Sequence, residues 1–181
     1  MVQLSRFLTV LSVAAVGLAL SLKRDVATVE ADIAKITTQV TTLDNAIEAY
    51  PLTGGTLLAA LTIHTDATSL ITTLNTATTD VTSTGAFGET DGRTILTSVE
   101  AIEPIILDAL TNIVVKKPAF VALPIGGLPA LILQDLKNLK TATVAFSAAL
   151  IASAPADLTA ESTAVQTNIT NAFDPAITAY T

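Results

Sequence analysis

The chain has one histidine, His64, and no cysteine, and those two facts remove most catalytic chemistry before any fold is considered. Thiol nucleophiles and Cys-ligated zinc need a residue type that is absent. A His-rich metal site needs more than one imidazole, and a Ser-His-Asp triad would have to be built on His64 alone. No serine stands in a Gly-x-Ser-x-Gly turn. Gly54-Gly55 and Gly126-Gly127 are not followed by Lys-Ser or Lys-Thr, so neither is a phosphate loop. Glu100, Glu103 and Asp108 come nearest to an acidic cluster, and their spacing turns them away from Ile102 and Ile106, onto a solvated face. Glu89-Thr90-Asp91-Gly92 is too short for a calcium loop, whose oxygens alternate over about twelve residues. The expectation is a protein without catalytic residues, metal or cofactor.

What remains is apolar chemistry. Ala60, Ala67, Ala77 and Ala109 fall on stripes of larger apolar residues. Small residues facing inward mean either close packing or a cavity sized for an acyl chain. His64, Thr68, Asn75, Thr143 and Ser162 lie on or near these stripes and must be hydrogen-bonded if buried. His64 is then either a partly buried structural histidine or a polar anchor for a ligand head group. The ligand-cavity candidates are Ala60, His64, Ala67, Thr68, Ile106, Thr143, Phe146 and Phe173.

The elements that position these residues read as helices. Val26, Val29, Ile33, Ile36, Val40, Leu43, Ile47 and Tyr50 alternate spacings of three and four, a helical stripe. Asp25 is placed to cap it, and Pro51 and Gly54-Gly55 stop it. The same spacing predicts helices from about Thr56 to Ser83, with Leu57, Leu61 and Ile71 widening the stripe, and from Arg93 to Val115. Two more follow, from Ala130 to Ser153 and from Asp157 to Tyr180. Pro104 should kink or split the third, and Pro175 the last turn of the fifth. Ser83 to Thr94 reads as a loop. No stretch alternates with period two, so the fold class is all-α: an antiparallel bundle of about five long helices without disulfides.

Lys116 to Pro129 stands apart. It holds three prolines and two glycines, yet its other residues are mostly apolar. It reads as a loop that packs over the core or presents apolar surface. Phe120, Val121, Leu123, Ile125 and Leu128, with Phe87, are therefore candidates for surface adsorption, or for a lid over the open end of the bundle.

The first 24 residues read as an export leader. Arg6 is followed by a roughly 14-residue apolar run, shorter than the roughly 20 residues that span a bilayer, then by small residues. Lys23-Arg24 is a dibasic processing site, leaving residues 25–181 as a single domain. The bland alternative for the leader is a membrane anchor. The leader holds three of the nine Lys and Arg and none of the sixteen Asp and Glu, so residues 25–181 carry a formal charge of −10. That charge disfavours nucleic acid and anionic membrane. Residues 25–181 include 29 threonines, which suits adsorption or O-glycosylation, or is compositional drift. Asn168-Ile169-Thr170 is an N-glycosylation sequon.

Several of these features resemble the fungal hydrophobic surface-binding protein A family. They are the opening Asp25-Val-Ala-Thr-Val-Glu-Ala-Asp-Ile-Ala-Lys-Ile after Lys-Arg, the long Thr/Ala/Leu helices, the absent cysteines and the closing Phe173-x-x-Ala176-x-x-x-Tyr180. The likeness covers about residues 25–181, and the family includes cell-wall galactomannoprotein antigens. It implies a secreted, all-helical protein that adsorbs to hydrophobic solids and recruits a secreted hydrolase to them; a monomer is expected. Related antigen domains hold fatty acids inside the bundle, which implies the alternative of an extracellular or cell-wall fatty-acid carrier. No Ser/Thr-rich tail or anchor signal precedes Thr181, so free secretion is expected over wall anchoring.

Overall fold

The computed structural model describes residues 25–124 and 126–181 with their side chains; of residues 2–24 it describes only that they continue the first helix. The leader side chains, including Lys23 and Arg24, and Ile125 therefore lie outside the described residues. Five helices follow in order: α1 Val2–Ala49, α2 Leu57–Thr84, α3 Glu89–Val121, α4 Leu128–Ser153 and α5 Thr159–Tyr180. There is no strand among the described residues.

All eight residues of the first stripe, Val26 to Tyr50, are buried, as are Ala60, Ile63, Ala67, Leu70, Leu74, Ala77 and Val81 on α2. Thr56 caps α2, its hydroxyl accepting from the Ala59 amide at 3.2 Å. Asp25 is not a cap in the full chain, because α1 runs through it without a break. Leu57 and Leu61 do not widen the α2 stripe; they are exposed.

The largest departure is α3. It begins at Glu89, inside the expected loop, and continues through Pro104 and Pro118 to Val121. The prolines do not end it, because tertiary packing overrides the lost backbone bonds. Ala119 and Phe120 are buried beyond Pro118. Lys116 donates to the carbonyls of Glu48, at 2.9 Å, and of Tyr50, and Lys117 donates to that of Ala179. Two adjacent lysines thus tie the end of α3 to the C-terminal ends of α1 and α5, where orphan carbonyls favour cations. The expected loop Lys116–Pro129 shrinks to residues 122–127.

Threonine sits in these helices by folding its hydroxyl back. Along α2, Thr62, Thr65, Thr68, Thr72 and Thr76 each donate to the carbonyl four residues earlier, at 2.9–3.1 Å.

The helices close into a ring. α1 packs on α2, α2 on α4, α4 on α5, α5 on α3, and α3 back on α1. Successive helices run in opposite directions, so the ends of α1, α3 and α5 meet the starts of α2 and α4 at one end. This is the lysine end. The opposite end is pinned by the Phe87 amide, which donates to the Ser153 carbonyl at 2.8 Å. Gly92 passes Pro155 there, so closely that a Cβ would come within 2.6 Å of its ring.

Candidate functional site

A ring of helices encloses an axis, and the apolar stripes line it. At mid-height lies a cavity of about 90 Å³ with walls from all five helices, among them Ile33, Leu70, Ile106, Phe146 and Phe173. Thr143 and Ser147 are its polar wall residues. The Ser147 hydroxyl donates to the Thr143 carbonyl at 2.8 Å and accepts from the Gln166 amide at 2.9 Å.

Two smaller voids continue the axis. One of about 40 Å³ lies toward Phe87 and shares Val99, Ser147, Leu150 and Ile169 with the main cavity. Another, of about 50 Å³, lies toward the lysine end and shares Leu43, Ala109, Leu110 and Leu139. The three form a row in which each void shares wall side chains with the main cavity. Along α3 the row runs from Gly92 to Ile113, about 30 Å at 1.5 Å per residue.

Of the cavity candidates read from the sequence, Ile106, Thr143, Phe146 and Phe173 line the main cavity, and Ala67 lines the void toward the lysine end. Ala60 is buried but borders none of the three. His64 and Thr68 are not in the row; they border a shallow hollow on the outer face of α2. The His64 Nδ1 is 2.8 Å from the Asp135 Oδ2, tying α2 to α4. Asp135 is 8% exposed, and burial pushes its carboxyl up while His64 pulls it down. His64 therefore links α2 to α4 outside the row of voids.

The adsorption candidates are mostly corrected. Phe120 is 1% exposed and stacks on Tyr50, ring centroids 4.1 Å apart. Leu128 is buried as the first residue of α4, and Phe87 is buried at the far end. Leu123 is half-buried, and among the described candidates Val121 alone is exposed. The cause is the extension of α3, which carries Phe120 inward instead of leaving it on a loop. Among the described residues, all the exposed large apolar residues except Val144 instead gather toward the lysine end: Leu52, Leu57, Leu58 and Leu61, with Val115 and Val121. Leu52 and Leu58 follow Pro51 and Gly55, where the sequence shows apolar residues with no stripe to join. Asn168 is exposed mid-helix on α5, and its amide donates to the Glu103 carboxylate at 3.1 Å.

Among the described residues no group of three or more His, Asp or Glu is placed to hold a metal ion. α2 is the one described helix long and apolar enough to cross a membrane, and its stripe is packed against the other helices.

Three similar solved structures are ligand-bound proteins. One is a crystal structure of Afmp4p in complex with palmitic acid, at 28% identity and TM-score 0.79, covering 86% of this chain and 99% of that one. Another is ligand binding domain 1 of Penicillium marneffei MP1 protein, complexed with arachidonic acids, at 21% identity and TM-score 0.78 over 87% and 99% of the two chains. Domain 2 of the same protein, with multiple arachidonic acids, matches at 18% identity and TM-score 0.74 over 83% and 92%. Comparison with curated proteins finds no match. Residues 26–152 match the hydrophobic surface binding protein A family, and the chain belongs to that family.

Proposed function

We propose that this protein binds a fatty acid, with the acyl chain on the axis of the helix ring. The observation that carries the reading is the row of apolar voids, walled by every helix and about 30 Å long. A bilayer core of about 30 Å holds two acyl chains end to end, so the row is long enough for one. The similarity to a palmitic-acid complex at 28% identity supports the same ligand class. The main void alone is smaller than the roughly 150 Å³ that admits benzene in an engineered core. Loading therefore requires Val99 and Leu150 on one side, and Leu43 and Leu139 on the other, to swing aside and join the voids. With residues 1–24 read as an export leader, the carrier proposed is extracellular or wall-associated. The test is native mass spectrometry of residues 25–181 from a secreting host, before and after gentle delipidation. A discrete extractable mass identified as fatty acid supports the reading. An apo mass that stays apo in excess palmitate overturns it.

A second reading, adsorption to hydrophobic surfaces, is favoured by the exposed Leu52, Leu57, Leu58 and Leu61. Burying such a side chain contributes roughly 1.5–3 kcal/mol. The contact surface is then the α1–α2 corner, not the segment around Phe120.

A further inference from the structure

A fatty acid in an apolar row must leave its carboxylate at one end, because an unpaired charge is not tolerated inside. The two ends of this row differ. Around the Phe87 end, among the described residues, Glu89, Asp91, Asp157 and Glu161 outnumber Arg93. At the lysine end stand Lys116 and Lys117, with Glu48 exposed beside them. Asp135, in the wall two helical turns further in, already has His64 as its partner.

The lysine end also has a donor without a use. Tyr50 is 1% exposed, one helical turn beyond Ile47, which lines the last void. Its phenol oxygen is buried and has no hydrogen-bond partner. It lies against Gly55, so closely that a Cβ there would come within 2.2 Å of it. Tyr180, by contrast, donates to the Ile113 carbonyl at 2.8 Å, and Ile113 lines the same void. Tyr50, Phe120 and Tyr180 thus close the row, and Pro51 to Gly55 covers the closure. Gly54, at φ +73°, gives that cover a backbone conformation open chiefly to glycine. Phenylalanine would stack on Phe120 equally well, so packing does not account for the hydroxyl. Native buried donors are almost always paired.

We propose that the carboxylate of the bound fatty acid sits at this end, accepting a hydrogen bond from the Tyr50 phenol and attracted by Lys116 and Lys117. The chain then runs inward past Ile47 and Ile113. The Pro51–Gly55 segment is the cover that must lift for entry. This rests on the lipid reading above and adds the orientation and the head-group donor.

The experiment is palmitate binding to delipidated residues 25–181 as wild type, Tyr50→Phe and Arg93→Gln. Hydrogen bonds to charged groups are strong enough that Tyr50→Phe should weaken palmitate by about tenfold or more. Arg93→Gln should leave it within about twofold. Equal binding by wild type and Tyr50→Phe, or a loss confined to Arg93→Gln, overturns the proposal while leaving the lipid reading intact. Wild type that takes up no palmitate overturns the lipid reading itself. A second measurement needs no variant: stearate carrying a nitroxide near its carboxyl end or near its methyl end. The carboxyl-end label should broaden the amide signals of Gly55 and Lys116, and the methyl-end label those of Phe87 and Gly92. The reverse pattern refutes the orientation.

Discussion

Filling the axis should stabilise the empty protein and abolish its ligand binding together. Ala109 is the residue for this, because it walls both the main cavity and the void toward the lysine end. Ala109→Leu adds three carbons, worth about 2 kcal/mol at roughly 0.8 kcal/mol per buried methylene. The cavity gives a second figure. About 90 Å³ at roughly 24 cal/mol per Å³ is again about 2 kcal/mol. Imperfect fit takes back about 1 kcal/mol. The net is about 1 kcal/mol of stabilisation, or a rise of roughly 2–4 °C in Tm for a domain of this size. The assay is thermal unfolding of delipidated wild type and variant, with and without palmitate. Wild type at about a hundredfold excess over Kd should gain roughly 2.7 kcal/mol from ligand, and the variant should gain little. If Ala109→Leu lowers stability by more than about 1 kcal/mol, the space is not there. If it stabilises the protein and palmitate still binds as before, the ligand is not on the axis.

Burial raises the carboxyl pKa of Asp32, Asp44, Asp66 and Asp135. The folded state therefore holds these protons more tightly than the unfolded one, and stability falls as pH rises from the ordinary carboxylate value of about 4 through the raised ones. Urea midpoints should be higher at about pH 4.5 than at about pH 7; a maximum at neutrality refutes this. His64→Ala leaves the buried Asp135 carboxyl unpaired and should cost about 1–3 kcal/mol by urea unfolding, whereas Asp135→Leu should cost less, since it removes the charge as well. Phe120→Ala should cost about 3–5 kcal/mol, as expected for a packed aromatic. Leu52→Ser with Leu58→Ser should leave Tm nearly unchanged and reduce depletion onto polystyrene beads. Unchanged depletion removes the α1–α2 corner as the adsorbing surface.

The stripes were legible because burial imposes a 3.6-residue period, and the stripe from Val26 to Tyr50 faces inward without exception. Periodicity gives direction but not depth. It marks Ile106 and Ala60 alike as inward, yet only Ile106 reaches the axis. Local punctuation misled at Pro118. Proline, glycine and apolar residues in one stretch read as a loop, while long-range ties from Lys116 and Lys117 hold the segment helical. Such ties join residues more than sixty positions apart, so no local pattern announces them. The exposed leucines were hidden for the opposite reason: Leu57 and Leu61 fit a helical stripe, but at the start of α2 they stay exposed. Tyr50 was legible as a core residue, but its unpaired hydroxyl was not, since pairing is a property of neighbours.

The number of helices has a consequence of its own. Cylinders about 9.5 Å apart, arranged five to a circle, have their axes about 8 Å from the centre. Subtracting a helix radius of about 5 Å leaves a bore about 3 Å in radius, wide enough for one hydrocarbon chain in single file. Four such staves would leave under about 2 Å. The calibre is thus fixed by arithmetic before any side chain is chosen. Substitutions along the wall can block or shorten the bore, but they change its width only within the slack of a five-stave barrel.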